Sequence, residues 1–338
     1  MVLHLIFAFV LVPGVSFAGS WAISNPKGAT PPYEMTSQEE SRLKALGLSA
    51  AELFDKLQAT RPDHLKRLQH HKIHGCLKGK LAVSSRLKEN FETPVFKKGA
   101  IHDVWARFSN INKDDDSERD LHGMAVRVLD PSRKNGELTG QDFLGNDTPK
   151  HFVRTPEELM DFLHFMSGNR LPTPDRLSLF ANAALQSHTR HSLLEDSYHS
   201  RTHFRFGTHN IRYGFFPCSV RDYSAVPLFK NHLSKNLREE ARKGVCFDFK
   251  IQVHDDRIDP PINDYTQVWN SPYQSVARLT FPPQDVRANS STCENLSFDS
   301  WRTLPEHRPL GFLNKARWYI YKTSRVKGSN EDVRAQRK

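Results

Sequence analysis

The sequence predicts an α+β fold in which an antiparallel β-barrel carries helices on its outside. Three observations lead there. Short apolar runs bounded by turn residues recur in two blocks, one between His70 and Val153 and one between Phe204 and Phe281. Apolar spacing of the helical kind falls between these blocks and again after the second. The strands are joined by turns rather than by regular helical crossovers, so they pair antiparallel and close on themselves.

Met1–Ala18 (MVLHLIFAFVLVPGVSFA) has an apolar run at Leu5–Val12, a break at Pro13-Gly14, and a small-x-small pattern at Ser16–Ala18. This reads as a secretory signal peptide, too short to span a membrane comfortably. Its n-region lacks Lys and Arg, so an uncleaved terminus is the competing reading. The expected location is secreted or periplasmic. Ser20–Thr36 is rich in Pro, Gly and Ser and reads as an extended arm. Thr36 or Ser37 caps a short helix to Gly47, with Glu39 and Glu40 in its first turn. Ser49–Leu68 continues helical, with Leu53, Phe54 and Leu57 on one face.

From His70 the period shortens. Leu77–Val83, Val104–Phe108, Met124–Leu129 and His151–Val153 read as strands. Pro156–Met166 begins with proline, continues with two acids, and has helical apolar spacing. Pro174–Gln186 is a further helix. Strands return at Phe204–Phe216, and Leu228–Gly244 is a charged, external helix. Phe247, Phe249, Ile251 and Val253 alternate with polar residues, and Val276–Phe281 is the last strand. Pro309–Lys322 closes the fold as a helix, and Lys327–Lys338 is a charged tail. The domain boundaries are 1–18 (signal peptide), 19–60 (arm and helix), 61–325 (barrel domain) and 326–338 (tail).

The chain of 338 residues is 38% apolar and carries a formal charge of +10. That charge is scattered, with no basic stripe interleaved with aromatics, so a solvated basic surface is the simplest reading and nucleic acid is not an expected partner. The four cysteines, Cys76, Cys218, Cys246 and Cys293, allow three pairings, and free thiols stay equally open. No C-x-x-C metal pattern is present, and a thiolate iron ligand is a remote reading.

The stretch from Trp105 to Arg154 organises the function. Arg107, Ser109, Arg119, Asp120, His122 and Asn146 lie on or beside otherwise apolar strands. Burying such groups costs about 1–3 kcal/mol each unless every one finds a partner. The chain therefore holds either a large polar ligand or an ion-pair network. The ordered set ARFS, RD-x-x-G-x-AV and GN-x-TP-x-x-F-x-R resembles the haem catalase family, over about Arg61 to Lys322. The resemblance implies an eight-stranded barrel of catalase type and a haem, presumed b type.

The same resemblance assigns candidate residues. Arg67 and His70 in RLQHHKIHG match a haem-contacting arginine and the distal histidine. Imidazole suits a proton taken from peroxide and returned to the departing oxygen. The segment departs from the family pattern at His71 and Ile73 and is one residue longer, so His71 and His74 are rivals for that role. Asn146 matches the distal amide of the family's GNN-x-P, where this chain has Asp147 next. Ser109 matches the residue behind the histidine. Arg107 and Arg67 would pair with propionates, for which bidentate guanidinium geometry is suited. Asp120 matches the acid lining the access channel, although the usual Pro-Arg is Leu121-His122 here. Phe108 and Phe152 would pack on the porphyrin or, as the competing reading, serve as ordinary core phenylalanines, and Phe298 in NLSF is a further cofactor-binding candidate. Asn146, Asn289 and Asn295 stand in glycosylation sequons, and Asn289 is the best acceptor of the three.

Arg317 and Tyr321 are four residues apart and share a helix face. A free tyrosine has a pKa of about 10, and both a ferric ion and a guanidinium favour its phenolate. Tyrosine is the established iron ligand of haem catalases, and R-x-x-x-Y is similar to their proximal motif. Tyr321 is therefore the expected metal ligand, with Tyr319 as its rival. The arginine that follows the family's tyrosine has only Lys322 and Arg325 as counterparts, which puts a third propionate contact in doubt.

The expected activity is haem-dependent decomposition of hydrogen peroxide or an organic hydroperoxide. An organic electron donor and a homo-oligomer are further expectations, and integral membrane contact is not expected. The chain is short for a catalase and is most like the small catalase-related peroxidases, which lack the C-terminal helical domain. Two alternatives are a fatty-acid hydroperoxide isomerase or lyase of allene oxide synthase type, and a non-catalytic haem-binding barrel.

Overall fold

A computed structural model of the chain describes residues 35–60, 70–129, 140–168, 171 and 173–328. The signal peptide, most of the arm, Arg67 and the end of the tail lie outside the described residues.

Helix α1 (Ser37–Thr60) comes first, then strands β1 (Ile73–Val83), β2 (Ile101–Asn110), β3 (His122–Leu129) and β4 (Gly140–Asn146). Helices α2 (Pro156–Met166) and α3 (Leu177–Gln186) follow. The second block holds β5 (Tyr198–His199), β6 (Phe204–Phe206), β7 (His209–Pro217), helix α4 (His232–Ala241), β8 (Val245–Val253) and β9 (Tyr273–Phe281). Helices α5 (Ser290–Asn295) and α6 (Phe312–Gly328) complete the order. Every pairing is antiparallel. The ladder β4-β3-β2-β1-β9-β8-β7 is closed by β5, which pairs with both β4 and β7, so eight strands form a ring and β6 hangs from β7 as a hairpin.

Side-chain alternation decides what faces the barrel interior. Leu77, Ala106, Val126 and Phe143 are in register across β1 to β4 and all belong to the interior cluster. One residue along, Cys76, Arg107, Ala125 and Leu144 form the neighbouring row on the outer face. Because the period is two, a slip of one residue would turn Arg107 inward. A second cluster joins α1, α2, α3 and α6, and a third, smaller one covers the outer face of β1 to β3.

Several elements differ from the sequence expectation. The helical run passes through Gly47 unbroken as α1, and Gly47 sits where α6 approaches. A Cβ there would lie 3.0 Å from the Tyr319 Cβ, and that close packing offsets the roughly 1 kcal/mol that glycine costs a helix interior. His151–Val153 is not a strand. Its amides turn to the Tyr265 carbonyl and to the His151 ring, and its side chains join the helical cluster. The fourth strand is instead Gly140–Asn146, whose pattern is masked by Asp142, a buried acid in register with Arg127 and bonded to it at 2.8 Å. Helix α3 starts three residues late, after a 3-10 turn at Pro174–Arg176. The expected external helix at 228–244 shortens to α4 and buries Leu233, Leu237 and Ala241. Helix α2 agrees: Thr155 caps it by accepting from the Glu158 amide at 3.3 Å, and Pro156 opens its first turn.

The cysteine question closes on disulfides. Cys76 in β1 pairs with Cys293 in α5, and Cys218 after β7 pairs with Cys246 in β8. No thiolate is left to ligate iron.

Buried histidines make stability acid-sensitive. Burial pushes His74, His199 and His203 down to about 4, and His307 down to about 3. Between the unfolded value of about 6.5 and these folded values the unfolded chain holds more protons, so stability falls as pH falls. Urea midpoints are expected to decline from pH 6.5 to about 4, more steeply than one histidine allows (~1.4 kcal/mol per pH unit). A flat profile over that window contradicts this.

Candidate active site

The site grows from three adjacent strands. Ser109 of β2, Gly123 of β3 and Asn146 of β4 are in register, two residues along from Arg107, Ala125 and Leu144 and on the same outer face. His70, just before β1, completes the group. Its backbone takes φ 59°, an unusual conformation for a non-glycine residue, and its N–H donates to the Ile111 carbonyl at 3.1 Å. That turn lays the imidazole over Gly123, where a Cβ would stand 2.4 Å from its Cε1. Only glycine leaves the ring this seat. His70 Nδ1 meets Ser109 Oγ at 3.0 Å. Burial first, then the Arg107 and Arg201 charges, push the His70 pKa down to about 3, so the ring is neutral at ordinary pH. Asn146 Nδ2 reaches the His122 carbonyl at 3.5 Å, the outer limit of a hydrogen bond.

Arg107 lies on the outer face. Its Nη1 donates to the Leu296 carbonyl at 2.9 Å, and its guanidinium stands 4.7 Å from the Phe298 ring centre. Phe298 packs with Trp105 and Ala125 in the same cluster. Phe108 does not belong here. It alternates with Arg107 and Ser109, so it points into the barrel against Tyr198 and Phe247. Of its two readings, porphyrin contact and core phenylalanine, the pleat supports the core. Phe152 lies in the helical cluster, against Phe162 and 5.8 Å from the Arg201 guanidinium.

On α6, Arg317 donates to the Tyr321 hydroxyl through Nη2 at 2.7 Å and Nε at 3.1 Å, and both residues are half-buried. Burial opposes the Arg317 charge, yet the Tyr321 oxygen holds its pKa above the ordinary arginine value. The rival Tyr319 turns toward α1 instead. The rival histidines separate too. His74 is bonded to Asn110 and Ser234, away from the row, while His71 lies 3.6 Å from Asp114. Asp120 spends its carboxylate on the Asn112 and Lys113 amides, each at 2.8 Å. Arg119 is exposed and binds carbonyls at the end of α3. Asn289 is a poor glycan acceptor, since its amide donates to the Cys76 carbonyl and Gln284; Asn295 is the exposed one. The side chains of Lys322 and Arg325 lie outside the described residues.

Arg201 has no counterpart in the expected set. It is buried, takes φ 56°, and among the described residues has no carboxylate within 4 Å. Its nearest acceptor is Thr148 Oγ1 at 3.4 Å. Its charge acts on His70, and the Arg317 charge acts on it. No local pattern marks it, because its placement comes from the β5–β7 closure.

The closed ring defines an antiparallel barrel protein with a polar outer site between strands and helices. The chain belongs to the catalase family, whose family model matches residues 25–198, more than half of its length. Among solved structures it is similar to a fungal catalase (TM-score 0.62, 16% identity, 82% of this chain and 63% of that one). It is also similar to catalase A from Saccharomyces cerevisiae (0.61, 17%, 80% and 62%) and to a bacterial catalase (0.59, 17%, 96% and 68%). At such identities the likeness is one of fold. The chain spans less than two thirds of the length of the fungal and yeast catalases.

Catalase-family proteins bind haem, and the residues here fit it. A buried guanidinium needs counter-charge, and burial pushes Arg201 down to about 10 even with the Asp147 carboxylate acting on it from beyond ion-pair distance. An anionic prosthetic group bearing carboxylates supplies that charge. Gly123 and Ala125 keep the outer face of β3 low, as a flat ring requires.

Proposed function

We propose that this chain is a haem-dependent peroxide-decomposing oxidoreductase, of the kind of the small catalase-related peroxidases. The observation that carries the reading is the row Ser109–Gly123–Asn146 with His70 seated on its glycine. When bound, the haem supplies the two-electron reduction of the peroxide bond. Tyr321 holds the iron from α6, and Arg317 favours its phenolate. The neutral His70 ring takes one peroxide proton and returns it to the departing oxygen. Ser109 fixes the orientation of that ring. The Asn146 amide donates to the oxygen on which charge develops. Arg107, Arg201 and Arg67 balance the propionates, and Phe298 and Phe152 pack against the ring. The reductant is a second hydrogen peroxide or an organic donor. The protein acts after export, and its two disulfides suit an oxidising compartment. No helix among the described residues is long and apolar enough to cross a membrane.

The test is an absorption spectrum of protein produced with haem. Wild type is expected to show a high-spin ferric tyrosinate spectrum, and Tyr321→Phe is expected to lose it. An unchanged spectrum in the variant removes Tyr321 from the iron. Oxygen release on adding hydrogen peroxide marks catalase activity, and dye oxidation without oxygen marks peroxidase. Loss of conjugated-diene hydroperoxide absorbance with no donor marks the lipid route. A chain that gains no Soret band is not a haem enzyme.

A further inference from the structure

A second cluster of ligand-type side chains lies at the rim of the distal row. Asp147 Oδ2 is 2.7 Å from His122 Nδ1 and 2.8 Å from His188 Nε2. Asp147 Oδ1 accepts the His122 backbone N–H at 2.9 Å, and the Asp147 N–H donates to the His122 carbonyl at 3.0 Å. The ends of β3 and β4 therefore hold two of the three donors rigidly. The third comes from the segment after α3, whose backbone is bridged to Asp120. The His122 and Asp147 side chains are buried, and that of His188 is 24% exposed.

The charge balance is unusual. Among the described residues, Asp147 has no lysine or arginine within 4 Å, and its ion-pair partners are the two histidines alone. Against the pull of burial, the two imidazole bonds hold its carboxyl well below the usual carboxylate range. The Arg201 charge acts on Asp147 from beyond ion-pair distance, and the three side-chain donor atoms lie within 4.8 Å of one another, close enough to share one cation.

We infer that His122 Nδ1, Asp147 Oδ2 and His188 Nε2 form a site for one divalent transition-metal ion, zinc(II) by preference, separate from the haem iron. Two imidazoles and one carboxylate are a donor set for such ions, with the remaining position left to water. Metal–ligand bonds of about 2.0–2.2 Å set the donors slightly further apart than hydrogen bonds do. Rotation of the partly exposed His188 ring supplies that opening, and the same ring marks the way in. The ion would tie β3, β4 and the His188 segment together beside Asn146.

The test uses the full, haem-loaded chain freed of other metals with a chelator. Titration calorimetry with zinc chloride at neutral pH is expected to show one ion per chain more in wild type than in His188→Ala, with the Soret band unchanged by the substitution. Copper(II) added to the same samples gives an electron paramagnetic resonance signal well apart from that of ferric haem. It is expected to show coupling to two imidazole nitrogens in wild type and to one in His188→Ala. Equal zinc uptake by both proteins, or copper coupling unaltered by the substitution, overturns the site. Absence of any uptake overturns it too and leaves a hydrogen-bonded triad.

Discussion

His70→Ala is expected to lower hydrogen peroxide turnover by about 10²–10⁴-fold, the usual range for losing a positioned general base. Haem content should stay the same, because the imidazole rests on Gly123 and Ser109 and is not an iron ligand in the proposed arrangement. The pH profile of the wild type makes the assignment sharper. A base loses function when it takes up a proton, so activity falls on the acid side through the pKa of the base. With an ordinary pKa of about 6.5 the rate would drop tenfold by about pH 5.5. Held down to about 3, His70 keeps its acceptor nitrogen, and the rate should be level to about pH 4. An anionic group bound at Arg107 and Arg201 weakens their share of that effect. The largest cause is burial, which such a group increases. The profile is read over minutes, before acid unfolding intervenes. An acid limb near pH 6.5 would assign the chemistry to a solvated histidine elsewhere.

Much of this was legible residue by residue, and the failures have physical reasons. The strands of the second block were visible because Phe247, Phe249 and Ile251 alternate cleanly on a half-buried sheet. Strand β4 was not, because its outer face spends Asp142 on the buried Arg127 and the alternation disappears. His151–Val153 has the apolar content of a strand, but its backbone bonds go to Tyr265 and its own ring. Gly47 looked like a helix end and is a contact point for α6. Ser109, Gly123 and Asn146 came together as the motifs suggested, since each motif is a contiguous strand and register does the rest. Phe108 had two readings, and the alternation that turns Arg107 and Ser109 outward turns it inward to the core. Arg201 and His188 lie in irregular segments with no periodicity of their own. Their positions are set by barrel closure and by the bridge to Asp120, neither of which a local window contains.

The two disulfides are expected to differ in what their removal does. In the chain-entropy picture a cross-link stabilises more when it closes a longer loop. Cys76 and Cys293 are 217 residues apart, against 28 for Cys218 and Cys246. Replacing the first pair by serines should cost about 5 kcal/mol of unfolding free energy. The loop-length difference alone makes that about 2 kcal/mol more than the second pair. Position adds a functional consequence. Cys76 is in register with Arg107, and Cys293 anchors the segment whose Leu296 carbonyl and Phe298 ring hold the Arg107 guanidinium. Arg127 rests on the same ring at 5.1 Å. Freed from β1, this segment loses its nearest covalent tie to the cofactor face. The Cys76→Ser/Cys293→Ser protein should therefore release haem to an acceptor apoprotein faster than wild type, and Cys218→Ser/Cys246→Ser should not. Urea unfolding and Soret-monitored haem transfer measure the two effects separately. Loss of stability with unchanged haem release would mean that Arg107 and Phe298 hold their places through packing alone.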